Sequence, residues 1–325
     1  MFSSLQQLID QKKQVTTDEL NLPENKPAAI ELQSRLCDLG ILDPIFKGDK
    51  DTPFGPAAKA DGVIGPMTRN ALFEFCKLAK IDYVDKLLPV SLTKALVSAH
   101  PDTFLPVTFD NKFGNNAKTR LAKRILRCLR AKNFWIARSP NAYNIVYIEG
   151  VNSDGNENAD HFDEWNDRRF VIRIKPGGKP EIVINDQATT EPGKFYTNNP
   201  ENAQGAARIA FGQYKAWVDG LHKGVQPALV QRAEVRVHRD LDKNGKRSKS
   251  DPVDVGDWFG INQHSTSPNV TPQLIGKYSA GCLVGQEYAA HLKFLSTVRK
   301  DFRYKLNKGY LFISAVIAGD DPSFK

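Results

Sequence analysis

The sequence has no uninterrupted apolar run near the roughly 20 residues needed to cross a bilayer, which argues against a spanning helix. Its start, "MFSSLQQLIDQKKQVTTDEL", lacks the basic, apolar and small-residue succession of a secretory leader. Such a chain is expected to be cytoplasmic, processed, or exported by a route that needs no leader. Cysteine is scarce. The four residues, at 37, 76, 128 and 282, are too scattered for a disulfide framework and lack the paired spacing of a structural zinc site. Cys37 and Cys76 fit either a pair or two reduced, buried thiols. No nucleic-acid motif is present, and no close His-x-x-x-His or His-x-Glu pair. No cofactor is expected.

What is present is an ordinary globular composition, 41% apolar and 25% charged, in 325 residues, more than one hydrophobic core usually organises. The formal charge is +8, and much of the excess is local. "KTRLAKRILRCLRAK" (118 to 132) carries Lys118, Arg120, Lys123, Arg124, Arg127, Arg130 and Lys132 without an acid. Leu121, Ile125, Cys128 and Leu129 recur at helical spacing, so this is an amphipathic basic helix. It fits attraction to an anionic polymer, or a solvated face whose apolar stripe packs on a neighbour.

Residues 1–27 end in "NLPENKP" and read as an arm and linker after a short polar helix. In "AAIELQSRLCDLGIL", Ile30, Leu32, Leu36 and Leu39 recur at helical intervals and Gly40 supplies a stop. "DGVIGPMTRNALFEFCKLAKI" then predicts a turn and a second helix begun by Pro66. With Leu32, Gln33, Leu39, Gly40, Asp61, Gly62, Gly65, Pro66, Thr68, Ala71, Leu72 and Phe75, the segment from about 28 to 80 resembles the small three-helix peptidoglycan-binding domain. The resemblance implies a groove beside "DGVIGP" that takes wall polymer, with Asp61, Gly62 and Gly65 in contact. The helical domain is placed at 28–100 and a basic helical connector at 101–133.

From 134 onward the texture becomes strand-like: "NIVYIEG", "RRFVIRI", "PEIVIND", "AARIAFG", "AEVRVHRD", "WFGINQH" and "YLFISAVIAG", bounded by Gly, Pro, Asn and Asp. "IKPGGKPE" predicts a hairpin turn. One clear helix is expected in 286–301, with Tyr288, Leu292, Leu295 and Val298 on one face. The fold class is therefore α+β and multidomain, a small all-α unit followed by a β-rich domain over 134–325.

A thiol becomes a nucleophile when a base lies within hydrogen-bond reach, and a lone cysteine with a histidine elsewhere in the chain is the minimal kit. "DWFGINQHS" delivers His264 at a strand end, and "YSAGCLVG" delivers Cys282. Gly281 lets the backbone turn so that amides near Cys282 face an oxyanion. Ser279 reads as a hydrogen-bonding support. His264, Ser279, Gly281 and Cys282 at this spacing resemble the active-site signature of L,D-transpeptidases (YkuD-type catalytic domains). That resemblance implies a β-rich domain acting on peptidoglycan stem peptides through a cysteine acyl-enzyme, by transfer or by hydrolysis. There are two departures. Ala280 stands where those enzymes usually have a second histidine, and Val284 where an Arg or Asn usually follows. The blocks "TTEPG", "GAARIAFGQYKAW", "RDLDKNGKR" and "SAGCLVG" also resemble a group of phage-like and bacterial wall-associated proteins. Arg208, Tyr214, His238 and Arg239 in or beside those blocks are suited to bind a substrate carboxylate or orient His264; each also fits a strand residue in an ion pair or hydrogen bond.

Two other functions fit. His222, His238, His264 and Cys282 could supply three zinc ligands and an open position in a metallohydrolase. Alternatively the second domain has lost chemistry and the protein only binds walls. "DLDKNGKRSKSD" begins like a calcium loop but reads first as a polar hairpin loop, with Asp where the last ligand would be Glu. The expected partner is peptidoglycan, with neither nucleic acid nor a membrane span, and oligomeric state is left open. The substrate implied lies in the periplasm or wall, reached as a phage endolysin would reach it or as an injected effector.

Overall fold

The computed structural model describes residues 1–110 and 116–325. Of the expected connector 101–133, residues 111–115 lie outside the described residues. The fold is α+β, with helices dominating the first third of the chain and strands the rest. Helices α1 (Leu5–Asp10), α2 (Thr17–Leu20), α3 (Lys26–Asp38), α4 (Pro66–Ala79), α5 (Val90–Ser98) and α6 (Pro101–Phe104) enclose one apolar core. Four short strands, β1 (Val15–Thr16), β2 (Ile45–Lys47), β3 (Gly55–Ala58) and β4 (Leu87–Leu88), form two ribbons, β1 with β4 and β2 with β3.

Local chemistry explains where these helices begin and end. Thr16 Oγ1 accepts the Glu19 N–H (3.1 Å) while the Glu19 carboxylate accepts the Thr16 N–H (2.7 Å), a reciprocal cap on α2. Pro66 opens α4, where its missing N–H costs nothing. The chain leaves α3 through Gly40 at φ +69, where a Cβ would meet Ile136 O at 2.7 Å.

Residues 1–27, expected as an arm, are part of this core. Phe2, Leu5, Leu8, Val15 and Leu20 are all buried. Each such side chain contributes roughly 1.5–3 kcal/mol when taken out of water. Together they outweigh the polar character that makes the stretch resemble a linker.

Helix α7 (Ala117–Ala131) is the basic helix, and Leu121, Ile125, Cys128 and Leu129 are buried. They cover the outer face of strands β5 (Asn144–Glu149) and β6 (Asp167–Ile174). Lys123, Arg124 and Arg127 each donate to a backbone carbonyl, those of Asp110, Gly155 and Phe109. Part of the basic face is thus engaged in holding neighbouring loops.

The remaining elements are strand β7 (Pro180–Thr189), helix α8 (Lys194–Asn198), strands β8 (Ala206–Ile209), β9 (Gly212–His222), β10 (Gln226–Gln231), β11 (Val235–Asp240), β12 (Val253–Gly256), β13 (Gln263–Ser265) and β14 (Leu283–Gly285), helices α9 (Tyr288–Val298) and α10 (Phe302–Leu306), and strand β15 (Phe312–Ala318). Eight strands close a barrel in the order β10-β13-β14-β7-β6-β5-β15-β9. Strands β12, β11 and β8 form a separate sheet. Period-two alternation on β5 sends Ile145 and Tyr147 to one core and Val146 and Ile148 to the other under α7, so every residue of the strand is buried. Gly177 (φ +79) and Gly178 (φ +92) make the expected turn between β6 and β7.

Two pairs in the barrel are parallel, β5 with β15 and β13 with β14. The second sets His264 beside Val284, two residues past Cys282. In α9 the buried face is His291, Phe294, Leu295 and Val298, and Leu292 is exposed. The stripe is rotated from the expected one because buried Arg169 draws His291 inward, its Nη1 lying 3.0 Å from His291 Nδ1.

The helical core and the barrel meet through buried polar contacts. Asp43 pairs with Arg303 (2.8 Å) and Lys215 (2.9 Å), and Arg303 also pairs with Asp301 (2.6 Å). Glu74 accepts from Ser139 Oγ (2.6 Å) and Asn141 Nδ2 (2.8 Å). Among the described residues no helix is long and apolar enough to cross a membrane. All four cysteines are free thiols.

Candidate active site

Cys282 enters β14 from a sharp turn. Gly281 has φ +134, a conformation side chains rarely adopt, and a Cβ there would meet Ala207 O at 2.4 Å. Ser279 braces the turn, its hydroxyl donating to Cys282 O (2.9 Å) and accepting the Gly281 N–H (3.1 Å). Cys282 keeps 9% exposure and lines a cleft of about 290 Å³. Its thiol donates to Gly260 O (3.3 Å) and accepts from the Asn262 N–H (3.5 Å).

His264 sits on the adjacent strand and lines the same cleft. Its Nδ1–H donates to Ser265 O (2.8 Å), which leaves Nε2 as the nitrogen with the lone pair. A second imidazole joins it. His222, at the end of β9, stacks on His264 with ring centroids 4.0 Å apart and planes within 10°. One nitrogen of each ring and Cys282 Sγ all lie within 4.8 Å of one another.

The pair is neutral at rest. Burial holds the His264 pKa down to about 3, helped by the neighbouring His222 ring and the Lys223 charge. Burial likewise pushes the Cys282 thiol up to about 11, only partly offset by the Asn262 N–H. His222 is lowered by burial and by Lys223.

Three potential ligands this close invite a test of zinc. Zinc binds imidazole nitrogen at about 2 Å along the lone pair, which lies in the ring plane. Two rings stacked 4.0 Å apart and nearly parallel have no point that lies in both planes near both nitrogens. One ring would have to rotate, so the arrangement does not fit the metal as it stands. His238 is on β11 and is outside this cluster.

The other residues singled out by sequence are elsewhere. Arg208 is buried and paired with Glu191. Tyr214 is buried with its hydroxyl donating to Ala210 O (2.7 Å). Arg239 pairs with Asp254 (2.9 Å) and lies over Phe259. His238 faces Arg208 across the β11/β8 pair, its Nδ1 buried without a hydrogen bond. None of the four lines the thiol cleft. Arg239 touches Phe259, which does.

At the helical end, Asp61 Oδ1 accepts from Gln33 Nε2 (2.8 Å) and the Val63 N–H (2.8 Å), and the Gly62 N–H donates to Gln33 Oε1 (2.8 Å). Gly62 has φ +79, and Gly65 caps α4. These residues build the turn, with Asp61 at its surface. In the calcium-like loop the carboxylates of Asp240, Asp242 and Asp251 lie within 4.8 Å of one another. Loop N–H groups satisfy Asp240, those of Asn244 (3.0 Å) and Gly245 (2.9 Å).

Sequence reasoning placed His222 only among zinc ligands. Nothing in "DGLHKGVQ" marks it as a neighbour of Cys282, because the contact depends on how β9 and β10 close the barrel. No protein-family model matches this chain, and no curated protein matches it.

Proposed function

We propose that the chain is a cysteine-dependent enzyme of peptidoglycan stem peptides that works through a Cys282 acyl-enzyme. The observation that carries this is a thiol with one nitrogen of each of two imidazoles within 4.8 Å at one open cleft, the thiol lying on a glycine-only turn. The choice of substrate rests on resemblance, that of residues 28–80 to wall-binding domains and that of the His264…Ser279-Ala280-Gly281-Cys282 pattern to L,D-transpeptidases. Two cleft cations, Lys223 and Lys277, face one acid, Glu201, which suits a substrate carrying a carboxylate.

Because thiol and imidazole are both neutral at rest, proton transfer accompanies attack. Sulfur bonds to the carbonyl carbon as its proton passes to His264 Nε2 and the carbonyl electron pair moves onto oxygen. Collapse expels the amine, which takes the proton from His264. An acceptor amine then gives transpeptidation, and water gives peptide trimming or cleavage. In this mechanism the helical end tethers the protein to its polymer and raises local substrate concentration. Action is at the periplasm or wall, as a phage lysis enzyme or an injected effector.

A zinc hydrolase is the second reading, favoured by the proximity of His222, His264 and Cys282 and opposed by the stacking of the two rings. Mass spectrometry of muropeptides incubated with the protein separates them. Stem peptides should change mass in the presence of chelator, and a trapped acyl adduct should map to the peptide containing Cys282. Activity lost to chelator and restored by zinc would establish the metal reading, and unchanged muropeptides would overturn both.

A further inference from the structure

The oxyanion of an acyl transfer to Cys282 needs donors, and the backbone here supplies fewer than its turn suggests. Strong acyl-transfer sites aim two or more preorganised N–H groups at that oxygen. The Gly281 N–H is already given to Ser279 Oγ (3.1 Å), and Ala280 has no polar side chain to offer. Among the described residues the Cys282 N–H remains without a partner.

A further donor is present on another strand, and its hydrogen is placed by a chain of contacts. The Gln231 N–H donates to Asn262 Oδ1 (2.9 Å), which fixes the orientation of that amide. Asn262 Nδ2 therefore faces His222 Nδ1 as a donor (2.9 Å). An imidazole that accepts at Nδ1 carries its proton at Nε2 when neutral. The two stacked rings thus have complementary tautomers, with a lone pair on His264 Nε2 and an N–H on His222 Nε2. A tight turn holds His222 in place. Lys223 (φ +51) and Gly224 (φ +75) reverse the chain, and the Val225 N–H closes it on His222 O (3.1 Å).

We propose that His222 is a catalytic residue of this site, its Nε2–H donating to the oxyanion that forms when Cys282 attacks an acyl carbon. The assignment rests on the acyl-enzyme reading above. His222 keeps its proton throughout: His264 takes and returns the one that moves, while His222 supplies a hydrogen bond that strengthens as charge develops on oxygen.

Two small probes test this without a wall substrate. p-Nitrophenyl acetate acylates a thiol through an oxyanion and releases p-nitrophenolate, whereas iodoacetamide alkylates it by displacement at carbon, with no oxyanion. In His222→Ala the Cys282-dependent burst of p-nitrophenolate should slow by about 100-fold, while alkylation of Cys282 keeps the wild-type rate. His222→Gln, which retains an N–H donor, should recover part of the burst. Equal losses with both probes would reduce His222 to a structural prop and overturn the proposal, and so would an unchanged burst. A wild-type protein with no burst above that of Cys282→Ala would overturn the acyl-enzyme reading itself.

Discussion

Cys282→Ala is expected to lower turnover of muropeptides by about 10⁴-fold or more, since removal of a nucleophile leaves only binding and oxyanion stabilisation. Binding to insoluble peptidoglycan should persist, because the helical end that resembles wall-binding domains lies far from the substitution in the chain. Retained turnover would reject the mechanism. The neutral resting pair adds a pH signature. With the thiol pushed up to about 11 and His264 held near 3, iodoacetamide alkylation should rise about tenfold per pH unit through the alkaline range. A thiolate–imidazolium pair would instead plateau from below neutrality.

The same histidine links pH to stability. Its folded pKa of about 3 is below its ordinary 6.5, so the unfolded chain binds the proton first. Its contribution is fully present above pH 6.5 and is lost as pH falls from there toward 3. Buried His291, also held well below its ordinary value, acts in the same direction. Thermal midpoints should therefore drop between pH 7 and 4 in the wild type, and drop less in a His264→Gln variant.

The second large effect is expected at Asp43→Ala, which should destabilise the protein by about 3–5 kcal/mol, as removing one partner of a buried ion pair does. Asp43 opposes two cations at once, Arg303 and Lys215, and those charges hold its carboxyl below the usual range against the cost of burial. Its removal leaves Arg303 with Asp301 as its remaining carboxylate and takes from Lys215 the carboxylate it pairs with. Because Asp43 lies on the helical side and both cations on the barrel side, urea unfolding should show one transition moved as a whole. Two transitions, with only the helical one shifted, would instead establish independently folding units joined by a linker.

Much of the local architecture was legible. Helical spacing located α3, α4 and α7, and alternation or short apolar runs located β5, β6, β7, β11 and β15. The long hairpin β9–β10 escaped notice because "GQYKAWVDGLHKGVQPALVQ" mixes Lys, Asp, His and Pro into its strands and sits partly exposed. The buried face of α9 differs from the one its apolar spacing predicts for a related reason. His291 counts as polar in any periodicity, yet here it is buried against Arg169 and Pro227 O (3.0 Å).

By itself the sequence determined what neighbours along the chain decide: helix caps, turns at glycines, the alternating faces of strands, and the presence of a thiol and an imidazole eighteen positions apart, on either side of the loop joining β13 to β14. Tertiary structure alone decided barrel closure, the packing of Phe2, Leu5, Leu8, Val15 and Leu20 into the helical core, and the arrival of His222 over His264. Those outcomes depend on pairings between distant segments, whose free energy comes from surfaces buried together. Patterning within one segment reports only which face is apolar, and carries no record of which partner covers it.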